Sequence, residues 1–506
     1  MSAPARADDP FVDSRLTVTL GDDDLLHDAG ESVPDSPRLG FGDRPGYELF
    51  YDNLNTRFSG RESLTHLVYY RKLPSFFDRV TTEAAVVMRL LFYHKGDVVR
   101  LEDTGSYIRV TYNPFDDPDD GLSLTAFPFN ADRVRLGYLY RLSVGGDDYF
   151  PRKGWVSAPG LKLQLDLGPA FTWAAFKAVL AQTALTETAN LQGTKQQTGE
   201  NQYAGFLGLG ADLLGDQLRL ELAGAFIEQG DNVSPDVAGE AVWATGGAAR
   251  LVLHHQMPIE DSLDFAIYRN DPNNPFIAFR PVEYFPGQTG YMISAETVAL
   301  GQRLADPDVL GKTRVQAAMA WAIRARLQHD YLRLELNLLF RDLGFLVASN
   351  PGYLTSAGLP TWEAWSKNAA LAPELMASLA ADYHFPRQHL TLGLSSGLLF
   401  PAHVTTKLYA STAGSSAPPT LIGEHTMIVG PGGQTVLPEG EDPRPLVNSR
   451  LSLRLDLSEM LYTRLWLQHR YDPNSTVLIV NPDLTKSRKL QDAHGFGLGV
   501  SAALRL

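Results

Sequence analysis

From Thr313 to Arg341 apolar and polar residues alternate one for one. Val315, Ala317, Met319, Trp321, Ile323, Ala325 and Leu327 take the odd places, and Arg314, Gln316, Arg324 and Arg326 the even ones. Beyond a short turn at Gln328 to Asp330 the parity reverses, so that Leu332, Leu334, Leu336, Leu338 and Phe340 alternate with Arg333, Glu335, Asn337 and Arg341. A period of two sustained on both sides of a turn predicts a long antiparallel hairpin with one apolar and one charged face. Two environments accept such a hairpin. In a soluble sandwich the leucines form the core and the arginines meet water. In a membrane barrel the leucines face lipid and the arginines face the lumen, each strand crossing the hydrocarbon with about nine to eleven residues.

The alternation recurs along the chain. Leu161, Leu163 and Leu165 oppose Lys162, Gln164 and Asp166; Leu218, Leu220 and Leu222 oppose Arg219 and Glu221. Leu451, Leu453, Leu455 and Leu457 oppose Ser452, Arg454 and Asp456, and Leu461, Leu465 and Leu467 oppose Arg464, Gln468 and Arg470. About eighteen strands are predicted, near 62–71, 82–95, 98–112, 120–128, 133–144, 159–167, 170–182, 201–213, 216–228, 244–256, 262–270, 313–327, 331–343, 370–384, 388–399, 446–457, 460–471 and 491–506. Short turns (Leu214 to Gln217, Phe385 to Gln388, Ser458-Glu459) alternate with long connections (183–200, 271–312, 344–369, 400–445, 472–490). That sorting fits a bacterial barrel with short periplasmic turns and long extracellular loops, and a sandwich has no reason for it. In a barrel the arginines must face inward, because each one turned to lipid near the midplane costs about 2–4 kcal/mol. Trp173, Tyr331 and Tyr383 fall on the apolar parity near short turns, where an aromatic girdle would sit.

Composition sharpens the choice. At 506 residues and 44% hydrophobic content two or three soluble domains would be ordinary, yet no Pro-rich or Gly/Ser-rich linker divides the chain. No apolar run has the length of a membrane helix, and cysteine is absent, which excludes disulfides and thiolate metal sites. Ala5-Arg6-Ala7 has the small-x-small form of a signal-peptidase site without a preceding apolar region. Residues 8–60 carry twelve acidic residues against four basic ones, more than half of the net charge of −14. This predicts two units: an acidic segment over 1–60, acting as periplasmic tail or lumen plug through Asp22, Asp23, Asp24 and Asp28, and a barrel over 61–506. Cofactors are not expected. The one cation considered is Ca2+, at Asp22 to Asp28 or at Asp116-Asp117-Pro118-Asp119-Asp120, and neither cluster has the ligand spacing of a calcium loop.

The last eleven residues, Phe496-Gly497-Leu498-Gly499-Val500-Ser501-Ala502-Ala503-Leu504-Arg505-Leu506, place an apolar residue at every second position to the end. With the strand and loop rhythm this resembles Gram-negative outer-membrane β-barrel proteins of the porin-like type, over about Leu64 to Leu506. The family pattern usually closes on an aromatic residue, and Leu506 departs from it. The resemblance implies an all-β, closed antiparallel up-and-down transmembrane barrel of about eighteen strands, sixteen being the alternative. It also implies an outer-membrane location, contact with outer-membrane lipid, and homotrimers for many such proteins.

The lumen-parity cations are Arg133, Arg135, Arg141, Lys162, Arg219, Arg314, Arg324, Arg326, Arg333, Arg341, Arg454, Arg464 and Arg470, against Asp166, Asp212, Glu221, Glu335, Glu374, Asp382 and Asp456. The wall is basic within an acidic protein. Rings of arginine and lysine favour anions in a pore, whereas cross-strand pairing with the acids would merely stiffen the wall. Two functions follow. In one, the barrel passes small, preferentially anionic solutes by passive diffusion, narrowed by loop 271–312, with a short helix over Met292 to Leu304, or by loop 400–445. In the other, residues 8–60 plug it and it docks partner proteins of an envelope machine for secretion or motility. An enzyme is not expected, because His254, His255, His384, His389, His469 and His494 show neither metal spacing nor a nucleophile partner. Nucleic-acid binding is not expected, since the chain is acidic and no basic patch is interleaved with aromatics.

Overall fold

The computed structural model describes residues 14–22, 25, 38–41, 65–93, 98–146, 158–182, 199–232, 236–259, 285–348, 369–410, 420–430, 433–480 and 486–505, with brief gaps at 74, 104, 116–119, 132–133, 140, 216, 258 and 307. In chain order the strands begin with β1 (Arg15–Asp22), β2 (Arg38–Phe41), β3 (Thr65–Leu73), β4 (Val80–Tyr93), β5 (Val98–Asp103), β6 (Tyr107–Tyr112), β7 (Gly121–Phe127), β8 (Gly160–Leu167) and β9 (Ala170–Gln182). They continue with β10 (Gly199–Leu213), β11 (Leu218–Asp231), β12 (Ala241–His255), β13 (Phe285–Ala305), β14 (Thr313–Asp330), β15 (Leu332–Arg341), β16 (Ala369–Ala372), β17 (Glu374–Phe385) and β18 (Leu390–Phe400). The last are β19 (Ala402–Ala410), β20 (Thr420–Gly430), β21 (Gly433–Val436), β22 (Leu446–Asp456), β23 (Leu461–Tyr471), β24 (Thr476–Val480), β25 (Lys486–Leu490) and β26 (His494–Arg505). Helix α1 (Leu343–Ala348) follows β15.

Twenty strands form one antiparallel sheet that returns on itself. Closure is made by β1, which pairs with β26 from Arg15↔Arg505 to Asp22↔Leu498. Two wall positions are shared by two strands each. β5 and β6 lie end to end along β4, separated by a bend at Gly105 (φ 125°). β2 and β3 divide the place between β1 and β4. The sheet is therefore an up-and-down barrel of eighteen wall positions. A four-stranded sheet of β16, β19, β20 and β21 packs on α1 through Ala402, Val404, Met427 and Val429, and β24 with β25 forms a separate ribbon.

The barrel is built inside out relative to a soluble protein. Its outward leucines are the exposed ones, Leu207 at 63% and Leu394 at 58%, while their inward neighbours Phe206 and Ser395 are buried. The hairpin from Thr313 to Arg341 follows this rule: Arg324, Arg326, Arg333 and Arg341 are buried inside, and Val315, Met319 and Ile323 are exposed outside. A wall whose outside is leucine is matched to hydrocarbon. On β26, Leu498 and Val500 face outward, as the terminal alternation implied. At the short-turn end every non-glycine residue with positive φ among the described residues sits at a strand end or turn: Arg79, Leu214, Gln256, Asp330 and His389. At Arg79, Leu214, Asp330 and His389 the left-handed residue lets two strands reverse within a few residues.

Four expectations are corrected. Arg15–Asp22, assigned with Asp22 to a tail or plug, is a wall strand, because Thr17 and Thr19 face in while Val18 and Leu20 face out like any other strand. The barrel thus begins before residue 61. Met292 to Leu304 is not a loop helix but part of β13, its alternate residues Met292, Ser294, Glu296, Val298 and Leu300 buried inside. The described residues of 133–144 are not a wall strand: Val134, Leu136, Leu142 and Val144 join the core inside the barrel. Trp173 faces inward rather than into a girdle, because β9 is apolar on both parities and Gly208 opposite leaves room for the indole: a Cβ there would come within 2.5 Å of it. The strand near 262–270, and Asp23, Asp24, Asp28, Asp116, Asp117 and Asp119, lie outside the described residues.

Candidate functional site

The interior has two unlike sides. Along β9 to β13 it is apolar and filled. Inward residues Val179, Ala204, Phe206, Ile227, Ala244, Ala248, Val298 and Leu300 form one core with Val134, Leu136, Leu142 and Val144 from the connection between β7 and β8. That connection turns into the lumen as a tight reversal, in which Leu136 N donates to Val144 O and Val144 N to Leu136 O, both at 2.9 Å. Two glycines allow the approach. Gly145 (φ 87°) lies so near Ile227 and Phe206 that a Cβ would meet them at 2.9 and 3.0 Å, and Gly137 (φ 95°) sits against Val298 and Glu296.

Polar anchors hold this segment from several wall strands. Glu296 on β13 accepts from Tyr138 N at 2.7 Å and Leu139 N at 3.0 Å. Lys177 on β9 donates to Ala131 O at 3.3 Å and Val134 O at 2.9 Å. Arg250 on β12 lies 5.3 Å from the Tyr138 ring centroid, and Arg341 Nη1 on β15 donates to Arg141 O at 3.4 Å. Backbone groups that would be orphaned inside the barrel are thereby satisfied. The segment reaches from β9 to β15 and so narrows the barrel. The described parts of 271–312 and 400–445 form β13 and the sheet over α1.

Along β14 to β23 the inward residues nearer the short turns are polar and basic, while Ala318, Ala320, Leu339, Met376 and Leu399 nearer the loops belong to the same apolar core. Arg333, Arg450, Arg454 and Arg464 line one cleft with Asp382, Thr391, Ser395 and Ser452. Gly393 faces this cleft, and a Cβ there would stand 2.7 Å from Ser452 Oγ. In the strand register Thr391↔Arg454↔Arg464 form one inward row and Ser395↔Arg450↔Gln468 the next but one, with Gly393↔Ser452↔Trp466 between them and Arg450 donating to Gln468 Oε1 at 2.7 Å. The Tyr462 ring lies 4.6 Å from the Arg454 guanidinium and 5.8 Å from that of Arg464. Four guanidinium groups face one carboxylate in the cleft.

The structure sorts the sequence candidates. Cross-strand pairing is present, as Arg333 with Asp382 at 2.6 Å, Arg341 with Glu374 at 2.7 Å, Arg219 with Asp212 at 2.5 Å, and Arg324 and Arg326 with Glu335 at 3.1 and 3.4 Å. Arg454 pairs with Asp456 along its own strand at 2.7 Å. Arg314 pairs with Asp306 and Asp308 of the turn preceding its strand, away from the cleft. Lys162 covers Trp173 at 5.0 Å, Arg470 lies half-buried on β23, and Arg135 and Arg141 belong to the inward segment. Arg133 lies outside the described residues. Sequence reasoning passed over Lys177, Arg250, Arg450 and Glu296. Arg450 shares the parity of Arg454 and Arg250 that of Val252, so the alternation rule could have found both; Glu296 sat in a stretch read as loop. Among the described residues no group of three or more His, Asp or Glu is placed to hold a metal ion.

No family model and no curated protein matches the chain. Solved structures do. OprD, an outer membrane protein of Pseudomonas aeruginosa, is similar at 10% identity over 99% of this chain and 95% of its own, with a TM-score of 0.39. Pseudomonas aeruginosa OccK2 (OpdF) is similar at 10% identity over 98% of both chains, TM-score 0.41. OprB of Pseudomonas putida is similar at 11% identity over 98% of this chain and 93% of its own, TM-score 0.39.

Proposed function

We propose that this chain is an outer-membrane channel for passive diffusion of small solutes, with a preference for anions that it draws from the basic side of its lumen. The observation carrying the reading is the cleft of Arg333, Arg450, Arg454 and Arg464 inside a wall whose outer face is leucine. The apolar exterior supports insertion into a bilayer, and an aqueous path through it must run along the side that the inward segment leaves polar. Guanidinium groups close together in a partly dehydrated cleft attract carboxylates and phosphates and repel cations. The arginine and acid pairs beside it fix the guanidinium planes, so an anion meets a preset array.

The test is single-channel recording of the full chain in a planar bilayer under a salt gradient. A reversal potential of anion-selective sign is expected, and R450E/R454E/R464E should drive it toward cation selectivity with folding, read from heat-modifiable migration, intact. Cation selectivity in the wild type would overturn the anion preference. A silent, correctly folded barrel would overturn the channel and favour the docking reading.

A further inference from the structure

Beyond the wall, β24 and β25 form a two-stranded ribbon that no other sheet continues, in register from Thr476↔Leu490 to Val480↔Lys486. It stands at the loop end, between β23 and β26. Val477, Leu478 and Ile479 are exposed at 39%, 50% and 36%, and facing them across the ribbon are Lys489, Arg488 and Ser487, also exposed. A ribbon of two strands is marginal in water, and three consecutive exposed aliphatic residues beside a cationic strand are costly to leave wet. The acids at its base are already engaged. Asp472 accepts from Asn474 N and Ser475 Oγ, and Asp492 accepts from His494 N. The ribbon is tethered inward through Thr476 Oγ1, which donates to Val436 O at 3.3 Å.

Directly below it, the outer face of the wall carries an aromatic patch. His469 and Tyr471 alternate with the inward Gln468 and Arg470, and pair in register with Phe496 and His494. His469 lies 4.7 Å from the Phe496 ring and 5.4 Å from that of His494, and Tyr471 lies 5.0 Å from His494. Rings that are apolar at one edge and polar at the other belong at a bilayer interface, so this patch sets the level of the headgroups on that side of the barrel.

From this placement we propose that the β24–β25 ribbon rests on the phosphate-bearing lipid headgroups of the leaflet at the loop end, its aliphatic residues at the acyl boundary and Arg488 and Lys489 paired with phosphates. The proposal rests on the membrane placement proposed above. Lysine and arginine suit this, since their alkyl stems lie along apolar surface while their charged ends reach the phosphates.

The probe is bis-phosphorylated lipid A in detergent, titrated into the purified full chain and followed by native mass spectrometry and the thermal midpoint. Wild type should retain the lipid and gain thermal stability. R488Q/K489Q should weaken retention by about twenty-five-fold, since each cation near an anionic surface contributes about fivefold. V477S/I479S should weaken it less, and dephosphorylated lipid A should bind poorly to every form. Equal binding by the charge variant, or by dephosphorylated lipid A, would overturn the proposal. Displacement of lipid A by millimolar inorganic phosphate would also overturn it, reducing the ribbon to a simple anion site. Heat-modifiable migration in phosphatidylcholine vesicles reports insertion separately: a wild type that does not insert there overturns the membrane reading and this proposal with it, whereas insertion without lipid A retention overturns the ribbon alone.

Discussion

The two sides of the lumen are made by one rule and end in opposite states. On both, every second residue turns inward. Along β9 to β13 the inward residues Val179, Ala204, Phe206, Ala248 and Val298 pack with an apolar segment of the chain, which Lys177, Arg250 and Glu296 on the same strands anchor. Around the cleft on β15 to β23 the inward residues are arginine, serine and threonine, and no apolar filler can cover them without stranding charge, while Ala318, Ala320, Leu339, Met376 and Leu399 nearer the loops join the apolar core. A barrel of eighteen wall positions is wide enough to be open. Its effective bore is therefore decided by which inward residues attract protein and which attract water.

The sharpest way to break this contrast is to remove the filler. Replacing residues 132–145 by a short Gly/Ser linker should raise single-channel conductance several-fold, and unchanged conductance would mean that the segment does not limit the path. Next comes stability. Phe206→Ala opens a cavity on the filled side and should cost about 3–5 kcal/mol, read from the urea midpoint of the heat-modifiable form. Arg454→Gln on the polar side, which loses a largely buried charged hydrogen bond with Asp456, should cost less, about 1–3 kcal/mol. Equal costs would erase the distinction between a packed core and a solvated wall. Gly393→Leu should then narrow the cleft and reduce conductance, at a stability cost of about 1–3 kcal/mol in the urea midpoint, because a Cβ there meets Ser452 Oγ at 2.7 Å and must displace it. The smallest effect is ionic. Raising salt from 0.1 to 1 M shortens the screening length from about 10 Å to about 3 Å and should weaken, without reversing, anion selectivity measured as the permeability ratio.

Much of the wall was legible in the sequence. Parity placed Arg219, Arg324, Arg326, Arg333, Arg341, Arg454 and Arg464 inside and their leucine neighbours outside, and the structure has them so. The strand count of about eighteen also agrees, although β1 and β13 were not among the strands foreseen and residues 133–144 were wrongly among them. Each of these misreadings has a cause. β1 lies in an acidic stretch whose charge outweighed its short alternation in Leu16 to Leu20. The β13 stretch Met292 to Leu304 mixes small residues onto its outer face, Ala295, Thr297, Ala299 and Gly301, which hides a period of two. Residues 133–144 alternate as strands do, but their apolar residues meet the inner core instead of lipid.

The sequence alone determined that this chain makes a sheet with a greasy outside and a charged inside, because a side-chain period of two is local and needs no partner to be read. Only the tertiary structure decided which part of the interior is filled, which segment fills it and which arginines gather in one cleft. Those outcomes depend on meetings between distant residues, such as Glu296 with the backbone of Tyr138, 158 positions away, and Arg333 with Asp382 across a strand boundary. Complementarity of that kind is set by closure of the barrel, which brings inward faces together that no local pattern connects.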